Sequence, residues 1–406
     1  MSEWKKVKLG EICSRVTSGG TPKANVESFY APPTIPWLKT KEVNYSRIYE
    51  TENYISEDGL ANSSAKLIAP NSVIIAMYGQ GDTAGRVAIN KIPLTTNQAC
   101  CNLTFDDTKA NYEFVYYQLC TLYDKMVSLK SGAAQPNLNA QIIKGLEILL
   151  PSLVTQNRIA TILSRYDSLI ENYQKQIKLL EEAAQRLYKE WFVDLHFPGH
   201  ENTKIVDGVP EGWEKKTIAD VCTNISSGST PSRSNKAYWV NGTIKWVKTK
   251  ELQDGWIFDT EEYISQEGYN SSSTKIFPVN TILMAIYASP TLGRLGILST
   301  DCCCNQAALG LIADENIISW QWLFWKLYEL RDEFNAIARG AGQQNISGIV
   351  VKNKEIIIPD KGVIDGFTSV VSKMFEQQKS LSSQIRLLTE ARDRLLPKLM
   401  SGEIAV

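Results

Sequence analysis

The sequence predicts an α+β protein that consists of two duplicated α/β domains, each followed by a long helix. Three observations lead to this fold class: sequence blocks that recur at a nearly constant offset, a hydrophobic repeat after each copy, and the composition of a globular protein. Two tandem copies of one domain are expected to share one internal structure. The two long helices are expected to pair as an antiparallel coiled coil, which relates the two halves by a pseudo-two-fold axis.

The duplication begins with the loop "SGGTP", which returns as "SGSTP", so that Ser18 and Ser227 are 209 residues apart. The same offset joins "WLKTKE" to "WVKTKE" and "YISEDGLANSSAK" to "YISQEGYNSSSTK". After one deletion the offset becomes 208 (Thr96 to Cys304), and it joins "TNQA" to "CNQA", "GAAQPNLN" to "GAGQQNIS" and "EILLP" to "EIIIP". A solenoid unit has at most roughly 50 residues. The 406 residues therefore carry two copies of a whole domain.

The domain boundaries follow from where each copy ends and a Gln- and Glu-rich periodic segment begins. We place the first domain at 1–152, its helix at 153–194 and a linker at 195–212. The second domain follows at 213–360, its helix at 361–400 and a short tail at 401–406. Pro397 is expected to end the second helix, because proline opposes helix continuation.

Each long helix carries apolar residues at alternating spacings of three and four, which is the pattern of a coiled-coil seam. In the first helix the seam residues are Ile159, Leu163, Tyr166, Ile170, Tyr173, Ile177, Leu180 and Leu187. In the second helix they are Ile364, Phe367, Val371, Met374, Leu381, Ile385, Leu388 and Leu395. A helix of about 36 residues is roughly 54 Å long. The stripe favours helix pairing over a membrane-surface or cofactor-binding face.

The order of the elements along the chain predicts the direction of pairing. The second domain follows the end of the first helix after a loop of about twenty residues, and the second helix begins where that domain ends. To pair with the first helix, the second must run back toward the first domain, which makes the pair antiparallel. Two similar domains about 50 Å apart with dyad symmetry suit a DNA duplex with two half-sites.

Composition is that of an ordinary globular protein, with 43% hydrophobic and 21% charged residues. No apolar run reaches the 18 or so residues that a membrane span needs, and the first residues lack the apolar region of a signal peptide. The expected location is cytoplasmic, with reduced cysteines. A net charge of −1 gives no overall basic field, so nucleic-acid binding would depend on local patches.

The sequence predicts no catalytic, cofactor or metal site in this chain. There is no G-x-x-x-x-G-K-[ST] phosphate loop, and "GQGDTAGR" is better explained as a turn between strands. His196 and His200 lie in the linker and have no repeat counterpart, which disfavours a catalytic pair. The cysteines are adjacent to one another (Cys100 and Cys101; 302–304) without a C-x-x-C pair, which suits a buried strand better than zinc.

The sequence resembles that of the specificity subunit of a type I restriction-modification enzyme. The resemblance covers nearly the whole chain and rests on the duplicated loops, on "NQA", on "EAAQRLYKEWFVDLHFP" at the end of the first helix and on "RDRLLPKLMSGEI" at the end of the second. "APPT" lacks the polar first residue of the amino-methyltransferase motif that an enzyme subunit would carry. The two domains are more alike here than the family requires.

The resemblance implies that each domain is a target recognition domain that reads one half of a split sequence in double-stranded DNA. It further implies that the paired helices dock two methyltransferase subunits, which bind S-adenosylmethionine, and that restriction and translocase subunits join the complex. This chain would then be non-catalytic, would bind no cofactor itself and would have no membrane partner.

Candidate DNA contacts are the polar and basic residues of the duplicated loops, since hydroxyls, amides and lysines suit phosphate, and arginine, glutamine and asparagine also pair with base edges. In the first copy they are Ser18, Gly19, Thr21, Lys39, Lys41, Lys66, Arg86, Gln135 and Asn137. In the second copy they are Ser227, Gly228, Thr230, Lys248, Lys250, Lys275, Arg294, Gln343, Gln344 and Asn345.

Each candidate has an ordinary structural explanation as well, because elements common to both copies also build the common fold. Base-specific contacts are therefore expected where the copies differ, at 44–51 against 253–260 and at 79–95 against 288–303. The tryptophans (Trp37, Trp239, Trp246 and those at 320–325) are interpreted as core rather than as base-stacking platforms.

The alternative to a DNA-recognition subunit is a coiled-coil scaffold with two domains that bind protein or glycan.

Overall fold

The computed structural model describes residues 4–130, 137–287, 291–340 and 345–406, with the backbone alone at 339–340. The chain divides into two compact units. The first unit comprises Met1–Ile170 with Leu387–Val406, and the second comprises Glu171–Arg386. Each unit therefore contains one globular domain together with a segment of each long helix.

The first unit is built on three sheets. Its five-stranded sheet has the order Cys13–Ser18, Cys100–Phe105, Val73–Ala76, Val87–Asn90 and Arg47–Ile48. Its three-stranded sheet has the order Tyr54–Ile55, Ile35–Leu38 and Thr95–Thr96, and Lys5–Lys8 pairs with Glu147–Leu150. Its short helices are Leu9–Ile12, Glu57–Ala61, Tyr112–Cys120, Tyr123–Ser128 and Ala140–Gly145.

The second unit repeats this strand order. Its five-stranded sheet has the order Cys222–Ser227, Ala308–Ala313, Ile282–Ala285, Leu295–Leu298 and Gly255–Ile257. Its three-stranded sheet has the order Glu262–Ile264, Ile244–Val247 and Cys303–Cys304, and Glu214–Thr217 pairs with Glu355–Ile358. Its short helices are Gln266–Asn270, Trp320–Glu329, Arg331–Gly340 and Gly348–Lys352. The predicted fold class, two duplicated mixed domains with long helices, is confirmed.

Local sequence signals explain why the two copies fold alike. The serine of "YIS" caps the same short helix in each copy: Ser56 Oγ accepts a hydrogen bond from the Gly59 amide at 2.9 Å, and Ser265 Oγ accepts one from the Gly268 amide at 3.1 Å. The central strand Val73–Ala76 is buried on both faces, as its continuous apolar run indicates. "GQGDTAGR" connects this strand to Val87–Asn90, which confirms its interpretation as a turn between strands.

The adjacent cysteines lie in buried strands, as the sequence predicts. Cys100 and Cys101 begin one strand, Cys303 and Cys304 form another, and all eight cysteines are free thiols. Burial raises the pKa of every cysteine, and it raises the pKa of Cys101 and Cys303 to about 12. Within the described residues, no group of three or more His, Cys, Asp or Glu side chains could hold a metal ion.

This burial predicts slow thiol alkylation in the folded protein. A rise of three pKa units lowers the thiolate fraction at pH 8 about a thousandfold, since each unit is a factor of ten. Intact-mass measurement after iodoacetamide treatment is expected to show a largely unmodified native chain and eight modifications in denaturant. Rapid modification of Cys101 or Cys303 in the native chain would contradict this placement.

The two long helices have the bounds Leu153–Tyr188 and Lys361–Met400, and the first continues into a π-helical turn at Lys189–Val193. The prediction that Pro397 ends the second helix is wrong, because Pro397 lies inside it. Proline removes one backbone donor, but the last turn is anchored by Leu399 and Met400, which are buried in the core of the first unit.

In each unit the helix segments run antiparallel to each other. In the first unit, Arg392 Nη1 lies 2.7 Å from Asp167 Oδ1, while Ile159 and Leu399 share a core. In the second unit, the ring of Phe367 lies 6.1 Å from that of Tyr188, and the segments 177–185 and 375–382 line one cavity. The antiparallel pairing that the sequence predicts is thus present within each unit.

The predicted seam is the inward face of both helices. All sixteen seam residues are buried or half-buried, whereas four apolar residues off the seam spacing are exposed: Leu169, Leu179, Val370 and Leu387. The seam does more than pair helices, however. Ile159 and Leu163 belong to the core of the first unit, and Ile364, Phe367 and Val371 belong to the core of the second. The sequence pattern alone does not distinguish these two uses of an apolar face.

The segment 195–212, which is predicted to be a linker, contains a β-hairpin. Ile205–Val206 pairs with Val209–Pro210, and Asp207 and Gly208 occupy the turn with φ of 51° and 81°. None of the helices in the described part of the chain is long and apolar enough to cross a membrane.

Candidate nucleic-acid interface

The duplicated loops of the first unit meet beside the end of the five-stranded sheet. The Gly19 and Gly20 amides donate to the carbonyl oxygens of Cys100 and Thr96, at 3.1 and 2.8 Å. The Thr21 hydroxyl donates to Gln98 Oε1, which joins "SGGTP" directly to "NQA". The strand Cys13–Ser18 pairs with Cys100–Phe105, and this pairing places the loop after Ser18 against the loop before Cys100.

The end of "GAAQPNLN" joins the same cluster. The Met77 amide donates to the Ala99 carbonyl oxygen at 2.8 Å, and the Leu138 amide donates to the Met77 carbonyl oxygen at 3.0 Å. Asn137 lies next to this contact. Gln135 lies outside the described residues, as do Gln343 and Gln344 in the second copy.

The second unit builds the same cluster from the matching residues. The Gly228 amide donates to the Ala308 carbonyl oxygen at 3.1 Å, the Ser229 amide donates to the Cys304 carbonyl oxygen at 2.9 Å, and the Thr230 hydroxyl donates to Gln306 Oε1. Asn345 forms an isolated bridge with Tyr287. Ser227 ends the strand that carries this loop.

A tryptophan holds each loop in place, which confirms that Trp37 and Trp246 are core residues. The indole Nε1 of Trp37 donates to the Gly20 carbonyl oxygen at 3.1 Å, and that of Trp246 donates to the Ser229 carbonyl oxygen at 2.9 Å. Both rings are buried. The Trp–loop contact explains why "W-x-K-T-K-E" and "S-G-x-T-P" recur together in the two copies.

The lysines of "KTKE" are already paired within the chain. Lys39 Nζ donates to Asn53 Oδ1 at 2.9 Å, and Lys41 forms an ion pair with Glu52, which raises the pKa of the Lys41 ammonium through the hydrogen bond. The second copy repeats this arrangement. Lys248 lies 2.9 Å from Glu261 Oε2 and 3.0 Å from Glu262 Oε1, and Lys250 lies 2.6 Å from Glu261 Oε2. Lys41, Lys248 and Lys250 therefore present less free positive charge than their sequence suggests, whereas the neutral Asn53 amide does not offset the charge of Lys39.

Lys66 and Lys275 differ from them. Both are exposed, and neither forms an ion pair within the described part of the chain. Each directly follows the segment that packs against the Ser/Gly/Thr loop: Gly20 lies against Ser64 and Ala65, and the Ser273 hydroxyl donates to Ser229 Oγ at 2.9 Å. Lys66 and Lys275 are thus the predicted lysines best placed to meet a phosphate near the loop cluster.

Each predicted arginine directly precedes a strand of its five-stranded sheet, and its carbonyl oxygen accepts a hydrogen bond from the amide of Ala76 or Ala285. Arg86 donates to Asn44 Oδ1 at 2.9 Å and to Asp82 Oδ1 at 2.6 Å. Arg294 is half-buried, after the left-handed Gly293. The Arg86 side chain is thus hydrogen-bonded to Asn44 and Asp82 and not to the loop lysines.

Part of the sequence divergence between the copies has a structural cause. In the first unit Tyr45 makes an edge contact with Tyr123, with ring centroids 6.4 Å apart. In the second unit the matching residues are Asp254 and Arg331, which form an ion pair with Arg331 Nη1 3.0 Å from Asp254 Oδ2. The contact is retained while its chemistry changes.

A second pair of matching positions in this stretch also contacts helix residues. The Arg47 side chain is almost fully buried, and it donates to Ser164 and Ser168 of the long helix. Its counterpart, Trp256, packs against Trp320 at 5.6 Å between ring centroids. The copies therefore diverge at these two pairs of positions because the residues contact different partners, whereas Tyr49 in the same stretch is 55% exposed. Both pairs of divergent stretches stay predicted places for base-specific contacts.

Arg233 belongs to the loop of the second unit and is not among the DNA contacts predicted from the sequence. Its guanidinium carbon lies 3.5 Å from the ring centroid of Trp239, and Nη2 lies 2.6 Å from Glu262 Oε2. The side chain remains half-exposed beside "SGSTP", and the first copy has Ala24 at this position. Repeat comparison selects shared residues, so it passes over an arginine that occurs in one copy alone.

Comparison with known proteins agrees with this architecture. The family described as "Type I restriction modification DNA specificity domain" matches residues 1–182 and 210–385. The MjaIX specificity subunit of Methanocaldococcus jannaschii is 29% identical over 416 residues, which cover 100% of this chain and 94% of the relative. The HindI specificity subunit of Haemophilus influenzae is 24% identical, with both chains covered completely.

A solved structure shows the same fold. The crystal structure of the type I restriction-modification S subunit from M. genitalium matches with a TM-score of 0.64 and 16% identity, covering 98% of this chain and 96% of that chain. Because the family matches both halves of the sequence, the chain belongs to the type I restriction-modification DNA specificity family and is a non-catalytic specificity subunit.

Proposed function

We propose that this specificity subunit binds a split target in double-stranded DNA, with one half read by each domain. The observation that supports this proposal is the loop cluster, which occurs once in each unit with the same contacts between "S-G-x-T-P", "N-Q-A" and the buried tryptophan. Two copies of one polar surface suit two half-sites. The alternative of a protein- or glycan-binding scaffold is not favoured by the family to which the chain belongs.

We further propose that the long helices dock two methyltransferase subunits and that S-adenosylmethionine binds in those subunits. Restriction and translocase subunits would join the same complex. The support is the resemblance of the whole chain to type I specificity subunits together with two long helices whose outward faces carry exposed charged residues.

A mobility-shift assay on mixed genomic DNA tests DNA binding, with and without the co-expressed methyltransferase. We expect a salt-sensitive shift that the methyltransferase strengthens. Light scattering of the co-purified complex tests stoichiometry, and two methyltransferase subunits per chain are expected. A limit of one methyltransferase at saturation, or no DNA binding by the complex, would refute the respective part of the proposal.

The exposed lysines give a sharper prediction about phosphate contacts. Replacing Lys66 and Lys275 together by alanine is expected to weaken binding on all sequences and to reduce the slope of log K against log salt by about 2, since each phosphate contact contributes about 0.9. The matched control replaces Lys41 and Lys250, which are also exposed but are paired with Glu52 and Glu261.

For the control variant we expect a smaller change in the salt slope, because the neighbouring carboxylate already balances the lysine charge. Equal slopes for the two variants would show that Lys66 and Lys275 do not contact phosphate. A change in the methylated sequence at an unaltered salt slope would instead assign these lysines to base recognition.

A further inference from the structure

Arg233 lies in the loop of the second unit, three residues after Thr230 of "SGSTP", and it packs on two tryptophans. Its guanidinium carbon lies 3.5 Å from the ring centroid of Trp239 and 4.9 Å from that of Trp246. The two indole rings are held edge to face, with centroids 4.9 Å apart. Trp239 is itself fixed, because its Nε1 donates to the Ser232 carbonyl oxygen at 3.2 Å. The guanidinium therefore stacks on an ordered aromatic pair.

The Glu262 carboxylate holds one edge of this guanidinium. Glu262 Oε2 lies 2.6 Å from Arg233 Nη2, and Glu262 Oε1 lies 3.0 Å from Lys248 Nζ. Burial by itself would raise the pKa of Glu262, but the hydrogen bonds and charges of Lys248 and Arg233 lower it below its ordinary value. The carboxylate is therefore ionised at neutral pH and holds both cations.

The other edge of the guanidinium has no partner. Arginine carries its N–H donors in a planar fork, and Nη2 contributes one hydrogen to each of the two edges of that fork. The contact with Glu262 therefore leaves two parallel N–H groups on the remaining edge, and no other side chain or carbonyl in the described part of the chain bonds to them. The Arg233 side chain is 51% exposed. It presents a bidentate donor whose orientation is fixed before a ligand binds.

The first unit lacks this arrangement at the matching positions. At the repeat offset of 209, the three contacting residues and their counterparts are Arg233 and Ala24, Trp239 and Tyr30, and Glu262 and Asn53. The arginine adds one positive charge and the glutamate adds one negative charge, so the exchange leaves the formal charge of these positions unchanged. A stronger attraction for phosphate needs additional positive charge, whereas base readout needs donors of fixed geometry. The exchange therefore favours a difference in sequence readout between the two units.

We propose that Arg233 reads a guanine in the half of the split target that the second domain binds. Guanine presents O6 and N7 as paired acceptors in the major groove, and a bidentate contact of arginine with both atoms is a common base-specific contact. Glu262 is a positioning residue, because it orients the guanidinium and leaves the bidentate edge to the base. This inference rests on the proposed function, since it requires that the loop cluster faces DNA, and it adds one base and the residue that reads it.

Binding assays with the co-purified complex of this chain and its methyltransferase test the proposal. Methylation sequencing first gives the motif, and duplex probes then carry a replacement at each specified base pair in turn. Arg233→Ala is expected to reduce discrimination at one G·C pair by about tenfold to a hundredfold, the contribution of one bidentate contact. Glu262→Gln is expected to weaken discrimination at the same pair and at no other. A motif without a G·C pair in either half would overturn the proposal.

Arg233→Lys separates base readout from a phosphate contact. Lysine keeps the positive charge but has no planar fork, so this variant is expected to lose discrimination about as the alanine variant does. For both variants we expect a salt slope within about 0.5 of the wild-type value, because one phosphate contact contributes about 0.9. Wild-type discrimination in the lysine variant would overturn the proposal. So would an alanine variant whose salt slope falls by about 0.9 while its discrimination is unchanged.

Lys23→Ala is the matched control. Lys23 lies in the corresponding loop of the first unit, is exposed and forms no ion pair within the described ranges. Its replacement also removes one positive charge, and discrimination at the pair assigned to Arg233 is expected to be unchanged. Thermal unfolding of each complex checks that the variants are folded. Wild-type discrimination at every position in Arg233→Ala, with DNA binding intact, would overturn this inference alone. Absence of any sequence preference in the wild-type complex would overturn the proposed function together with it.

Discussion

Replacing Asp167 by alanine is expected to lower the free energy of unfolding of the first unit by about 3 kcal/mol, as removal of one partner of a buried ion pair does. The Asp167 side chain is 11% exposed and accepts from both Arg392 and the Tyr117 hydroxyl. Its loss removes the acceptor of Nη1 in a guanidinium that is only 25% exposed, and it removes the carboxylate that accepts from the buried Tyr117 hydroxyl. The same burial, followed by the Asp167 charge, raises the pKa of Tyr117.

Asp393, the residue that follows Arg392 in the sequence, provides a control for this substitution. Asp393 also contacts Arg392, at 2.8 Å from Nη2, but its side chain is 57% exposed. Asp393→Ala is expected to cost at most about 1 kcal/mol, because exposed ion pairs contribute little. Chemical denaturation of the full chain measures both variants. Similar losses for Asp167→Ala and Asp393→Ala would show that burial of the pair does not determine its contribution.

The second large effect is expected at Gly19. A Cβ atom there would lie 2.2 Å from the Asn97 carbonyl oxygen and 2.3 Å from the Thr96 carbonyl oxygen. These are backbone atoms and cannot rotate away, so Gly19→Ala must separate "SGGTP" from "NQA". We expect a loss of about 3 kcal/mol, at the upper end of overpacking effects, and loss of DNA binding by the first domain.

Gly145→Ala is the control for this substitution in the same unit, because a Cβ atom at Gly145 meets nothing within 4 Å. Its free energy of unfolding is expected to be unchanged or slightly higher, since alanine restricts the unfolded chain. The repeat offers a second test: Gly228→Ala should act like Gly19→Ala, because its Cβ atom would lie 2.1 Å from the Cys304 carbonyl oxygen. A tolerated alanine at both glycines would mean that the two loops do not need this close approach.

Much of the fold could be predicted from the sequence, because comparison of the two copies shows which segments recur and therefore form the same elements. The blocks "EILLP" and "EIIIP" each form a strand that pairs with the first strand of the same domain, and the apolar spacing after each block predicts a long helix. The end of the second helix could not be predicted from Pro397. Tertiary burial of Leu399 and Met400 outweighs the local preference of proline.

The candidate interface was less predictable, because its side-chain partners are distant in sequence. Nothing in "KTKE" itself indicates that Lys41 pairs with Glu52 or that Lys248 pairs with Glu262. Tyr45 and Tyr123 in the first copy are replaced by Asp254 and Arg331 in the second. The sequence does not show that these two replacements are linked, because the residues of each pair are distant in sequence and meet only in the fold. Individual DNA contacts therefore stay predictions.

Methylation sequencing of a host genome, with and without this gene, tests the central claim most directly. The account predicts that deletion removes methylation from one split motif, in which two specified halves are separated by an unspecified gap. Restoring the gene with the Lys66 and Lys275 substitutions is expected to lower the extent of methylation without changing the motif. Loss of a continuous motif, or no change in the methylome when the gene is removed, would contradict a subunit that reads DNA with two domains.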